Sequence, residues 1–92
     1  MILTTTPNIE GRTIQEYIGV VGGEGFENIG FRGHRYYLPT IVKARKQALD
    51  QLEENARSVG ADAVIGIHVD FEVVDLSSCV LVNAAGTAVK LQ

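Results

Sequence analysis

Three side chains able to hold a metal alternate along one short run, His68, Asp70 and Glu72. A neutral imidazole together with carboxylates suits Zn²⁺ and similar divalent transition ions. Residues two apart on a strand point the same way and lie about 6.6–6.8 Å apart. Two of the three can therefore converge on one cation, while the third needs a bend or a ligand from another chain. The plainer reading is that these three form the wet face of a half-exposed strand. Cys79 follows as a softer donor. Pairing Val74 with Ser78 would set Cys79 opposite Val73, on the apolar side and away from His68, and a slip of one residue would reverse this. A buried, inert thiol is the simpler expectation, since free cysteine is among the most buried residue types.

Other candidates carry less. His34 stands in the basic, aromatic run Arg32-Gly33-His34-Arg35-Tyr36-Tyr37. That run could hold an anion near a helix N-terminus or stack on a base. Its aromatic residues could equally anchor a loop to the core. Gly22, Gly23 and Gly25 are not followed by Gly-Lys-Ser/Thr and fit neither nucleotide-binding fingerprint. Glu10, Glu16 and Glu24 form no acid–base pair at a useful spacing, and Ser77 and Ser78 have no histidine near them in sequence. The expectation is a protein that is not an enzyme.

The elements that must position these residues follow from periodicity. Ile41, Ala44, Ala48, Leu52, Ala56 and Val59 recur at steps of three and four, one face of a helix about 30 Å long. Pro39 suits its first turn and Gly60 its close. Its charged face runs from Lys43 and Lys46 to Asp50, Glu53, Glu54 and Arg57, with bases early and acids late, against the helix dipole. Either chance or an acid–base contact with a neighbouring subunit accounts for that order. After Gly60 the period becomes two, a strand over residues 63–74. Ala63, Ile65, Ile67, Val69, Phe71 and Val73 make its apolar face; Val64, Gly66, His68, Asp70, Glu72 and Val74 make the other. Residues 75–78 read as a hairpin connection, residues 79–84 as the return strand, Gly86 as a break, and residues 87–91 as a last strand. Earlier, residues 2–5 read as a short strand before the Pro7-Asn8 turn, with a second turn at Glu10-Gly11. Residues 13–21 read as a strand with Ile14, Ile18 and Val20 on one face and Gln15 and Tyr17 on the other. The stretch 19–33 holds six of the ten glycines, which predicts loop or strongly bent strand.

These elements make one α+β domain over residues 1–92: one long helix packed on a mostly antiparallel sheet of about four strands. A chain of 92 residues has no room for a second core. Its 46% apolar content is that of a folded protein, and its net charge of −3 lacks the basic balance of a general nucleic-acid binder. No apolar run is long enough to span a bilayer, and the first residues lack a signal peptide's basic start. One cysteine permits no intrachain disulfide, which fits a cytoplasmic protein. A single helix covers only one face of such a sheet. Yet the return strand is apolar on both sides, Cys79 and Leu81 one way, Val80 and Val82 the other. Strands of that kind belong to sheets buried on both faces. The second cover is expected from another copy of the chain, unless residues 26–38 fold over it.

Four segments taken in order resemble a known family. They are Thr4-Thr5-Thr6-Pro7-Asn8-Ile9-Glu10-Gly11, Glu16-Tyr17-Ile18-Gly19-Val20-Val21-Gly22-Gly23-Glu24, Gly60-Ala61-Asp62-Ala63-Val64-Ile65-Gly66-Ile67, and Gly86-Thr87-Ala88-Val89-Lys90. Together they are similar to the bacterial YbjQ-like family, labelled "putative heavy-metal-binding" proteins of unknown biochemical role. The resemblance implies an α+β fold assembled as a ring-like homo-oligomer, commonly a pentamer. Family members usually carry a longer segment before the main helix than residues 25–38 provide here. No ligand motif transfers position by position, so the implied metal is assigned to His68, Asp70 and Glu72 on their chemistry alone.

Overall fold

The computed structural model describes residues 1–29, 37–74 and 79–92. Strand β1 (Ile2–Leu3) and strand β2 (Ile14–Asn28) precede helix α1 (Tyr37–Ser58), which is followed by strands β3 (Ala63–Val74) and β4 (Cys79–Leu91). They form one four-stranded sheet in the order β1-β3-β4-β2, with β1 parallel to β3 and the other pairs antiparallel. One helix on one mixed sheet makes a single small α+β domain. His34 and the Asp75–Ser78 connection lie outside the described residues.

The helix is held as its periodicity requires. Ala44, Ala48, Leu52 and Ala56 are fully buried, with Ile41 packed beside them. Val59 falls outside the helix and is half exposed, so the apolar face ends at Ala56. Gly60, at φ +81°, closes the helix. Its N–H donates to the Arg57 carbonyl at 3.1 Å, and the Ala61 N–H reaches back to the Ala56 carbonyl at 3.1 Å. That pair of bonds is the Schellman arrangement, which only a left-handed residue at Gly60 permits.

The glycine-rich stretch is strand rather than loop as far as Asn28. Gly23 and Gly25 lie directly beneath the helix. A Cβ on Gly23 would collide with the Ala48 carbonyl and Leu52 backbone, and one on Gly25 with the Ala44 carbonyl. Small residues on both layers, glycine below and alanine above, let helix and sheet approach closely. Gly86 likewise does not break β4. It sits where a Cβ would meet Val64 Cγ1 at 2.8 Å and the Ile65 carbonyl at 2.9 Å.

Three irregularities rearrange the expected faces. In β3 the register slips between Ile65 and His68, around Gly66 at φ +61°. This extra residue, a β-bulge, reverses the alternation. Val64, Ile67 and Val69 therefore join the core under the helix, while Ala63 and Ile65 turn to the opposite face and pack with Val89, Leu91, Ile9 and Ile14. The six apolar positions do not share one face. In β2, bulges between Ile14 and Glu16 and between Tyr17 and Gly19 do the same. Ile18 packs under the helix, Ile14 packs opposite, and Val20 is 84% exposed. The segment between β1 and β2 docks on the β3 bulge. The Gly66 N–H donates to the Thr6 carbonyl at 2.8 Å and the Ile67 N–H to the Thr4 carbonyl at 3.1 Å. Through Ile9, this segment covers one end of the second sheet face, a cover the periodicity did not indicate.

Candidate functional site

The bulge at Gly66 determines what His68 faces. Beyond it, His68 pairs with Ala85, Asp70 with Asn83, Glu72 with Leu81 and Val74 with Cys79. Across β4 the same rows continue to Gly22, Glu24, Phe26 and Asn28 on β2. Alternation puts all these side chains on the sheet face opposite the helix. This open face thus carries an apolar row (Leu81, Phe26) ending in Glu72, then an acidic row (Asp70, Asn83, Glu24), then a row of small residues beside His68.

His68 and Asp70 meet. The imidazole Nε2 lies 3.1 Å from each of the two carboxylate oxygens of Asp70, and both side chains are more than 70% exposed. Glu72 stands one pleat further on and lines, with Asp70, Phe71, Leu81 and Asn83, a shallow groove of about 360 Å³. Among the described residues no three of histidine, cysteine, aspartate and glutamate come together closely enough to hold an ion. The sequence-derived set is therefore a contacting pair plus a neighbour. One chain supplies two ligands of the four a structural zinc needs, or of the three a zinc with an open position needs.

Cys79 departs from its expected register. Val74 pairs with Cys79 itself, so the thiol shares the face of His68, Asp70 and Glu72. It is nevertheless buried, as expected of a free cysteine, and the rows of Glu72 and Asp70 separate it from His68.

Four further side chains act on β2 rather than on a ligand, three of them on its backbone. Lys43, Gln47, Gln51 and Asn55 recur every four residues and so form one row along the helix. Lys43 pairs with Glu27 at 3.4 Å. Gln47 Oε1 accepts from the Phe26 N–H at 3.1 Å, while its Nε2 donates to Glu27. Gln51 Oε1 accepts from the Glu24 N–H at 2.7 Å, and Asn55 Nδ2 donates to the Gly22 carbonyl at 2.8 Å. The row occupies the outer hydrogen-bonding groups of β2, an edge strand that would otherwise be free to pair. Its four-residue spacing was visible in the sequence, but nothing there says which strand it borders. The turn from Gly60 to Ala63 is also structural. The Asp62 carboxylate accepts from the Leu91 N–H at 2.8 Å, and Lys90 Nζ donates to the Gly60 carbonyl at 3.2 Å.

With this geometry in hand, known proteins supply context. A family model described as "Putative heavy-metal-binding", YbjQ_1, matches residues 1–92. A UPF0145 protein of Corynebacterium jeikeium is 37% identical over 105 aligned residues, covering 100% of both chains. A UPF0145 protein of Clostridium botulinum is 40% identical, covering 97% of each. An aligned span of 105 against a chain of 92 means that the relative carries residues with no counterpart here. A crystal structure of a protein of unknown function from Pediococcus pentosaceus, assigned to the DUF74 family, superposes with a TM-score of 0.81. It covers 100% of this chain and 98% of that one at 22% identity, which bears on the fold alone.

Proposed function

Because this chain belongs to the YbjQ-like, UPF0145 family, we propose that it is a non-enzymatic homo-oligomer binding a divalent transition metal through His68 and Asp70. The contact between His68 Nε2 and the Asp70 carboxylate, 3.1 Å long on an open sheet face, carries this reading. An imidazole nitrogen and a carboxylate already in contact need little rearrangement to share a cation. Glu72 is the nearest further donor, and a second copy would complete the coordination. Acid weakens such a site, because metal and proton compete for the same nitrogen. The oligomer, five copies on the family resemblance, is supported by the uncovered sheet face. The proposal extends to a cytoplasmic protein without nucleic-acid or membrane partners, a reading supported by the net charge of −3 and the single cysteine. Among the described residues no helix is long and apolar enough to cross a membrane.

The high exposure of both side chains, with no third donor beside them among the described residues, favours a second reading: an assembly that takes no small ligand. Metal analysis of untagged protein separates the two. Isothermal titration with Zn²⁺, Cu²⁺ and Ni²⁺ should give binding by the wild-type protein that is weakened at least tenfold in His68→Ala. Equal binding by both proteins, or none, removes the site.

A further inference from the structure

The domain is less compact than its length requires. Its radius of gyration is 15.1 Å, against about 12 Å for a compact domain of this size. The surplus is length, with principal extents of 49 × 23 × 16 Å, and the domain carries two exposed surfaces that are complementary. On the open face, Phe26 is 56% exposed and Leu81 36%, bordered by the carboxylates of Glu24, Asp70 and Glu72. On the outer side of the helix, Leu38 and Val42 are exposed at 71% and 45%. Lys46 follows four residues on, with Arg45 beside it, both exposed. One surface is apolar and acidic, the other apolar and basic.

Their placement matters as much as their chemistry. Gly25 lies under Ala44, and Gly23 under Ala48 and Leu52. The helix therefore begins above the Asn28 end of β2. Its basic first half and the acidic part of the open face stand at the same end of the sheet, on opposite layers. We propose that the open sheet face of one copy seats the first half of the helix of the next copy. Leu38 and Val42 rest on Phe26 and Leu81, and Arg45 and Lys46 reach Glu24, Asp70 and Glu72. The proposal rests on the self-association reading above and specifies which surfaces meet. Every sheet then has a helix on both faces, one its own and one borrowed, as strands apolar on both sides require. Open face against open face is disfavoured, since it would set three carboxylates against three with one histidine on each side. The contact is head-to-tail, so it closes only as a ring.

Charge exchange tests this, with masses measured by light scattering on a sizing column in the presence of chelator. Wild type should exceed its 9.9 kDa subunit mass severalfold. Arg45→Glu/Lys46→Glu and Glu24→Lys/Glu72→Lys should each fall to the subunit mass while keeping the wild-type circular dichroism. The four substitutions combined in one chain should recover the wild-type mass, because every contact then carries both exchanged surfaces. Val42→Glu gives an independent disruption if either double variant fails to fold. Double variants that keep the wild-type mass, loss of mass in the open-face variant alone, or failure of the combined variant to recover would overturn this contact and leave self-association standing. A wild-type monomer would overturn both and make a different protein the occupant. Chelator keeps the outcome independent of any metal at His68.

Discussion

The two long edges of the sheet are built on opposite principles. At β2 the helix lies close, Gly23 and Gly25 admit it, and Gln47, Gln51 and Asn55 occupy the strand's outer backbone groups. At β3, β1 pairs only with Ala63 and Val64, and no other described strand borders the run from His68 onward. There Phe71 is 58% exposed on the helix side and His68, Asp70 and Glu72 stand on the other. One edge is sealed by the chain's own side chains. The other carries the candidate ligands and the exposed ring of Phe71. In a domain too small to bury two faces with one helix, the sealed edge supplies the stability and the open side is left for partners.

The contrast is sharpest in substitutions that add or remove volume. Gly25→Val should cost more than about 3 kcal/mol in urea unfolding, because the obstacle is helix backbone rather than a movable side chain. Gly22→Ala, on the open face and 3.3 Å from the Ala84 carbonyl, should cost under about 1 kcal/mol. Comparable losses for the two would end the distinction. Leu52→Ala, fully buried, should lose about 2–5 kcal/mol. Phe71→Ala should lose under about 1 kcal/mol in the dissociated subunit.

The edge itself can be unsealed. Replacing Gln47, Gln51 and Asn55 together by alanine should cost about 1 kcal/mol for each lost backbone partner and convert β2 into a pairing edge. The triple variant should show concentration-dependent light scattering that wild type lacks. A triple variant as soluble as wild type would mean that the row is decoration. The smallest effect belongs to the exposed pair Lys46–Asp50, 2.7 Å apart. Hydrogen bonding to Asp50 raises the Lys46 pKa. Whatever the pair contributes is therefore complete below the ordinary lysine pKa and lost as pH rises through the raised one. Lys46→Ala should shift the melting temperature of the dissociated subunit by under about 2 °C.

Much of this arrangement could be read before folding. The helix, its Gly60 close and the span of β3 follow from local periodicity and from a glycine needed at positive φ. The chemistry of His68, Asp70 and Glu72 follows from residue type and a spacing of two. So does the contact of His68 with Asp70, because residues two apart on a strand share a side wherever the strand lies.

What the strand faces was decided elsewhere. Gly66 carries no mark in the alternation of β3, yet its bulge turns Ile67 and Val69 to the helix and keeps His68 on the face of Ala63 and Ile65. Gly86 reads locally as a break, but its position against that bulge makes it a packing requirement. Gly23 and Gly25 read as loop or strongly bent strand because glycine is flexible in isolation; they are strand, and glycine, because the helix leaves no room for a side chain. Local pattern fixes which residues alternate and where a helix must stop, since those depend on neighbours in sequence. Which face is buried, where a register slips and which glycines are needed for space depend on backbone brought close from afar, and only the tertiary structure contains that.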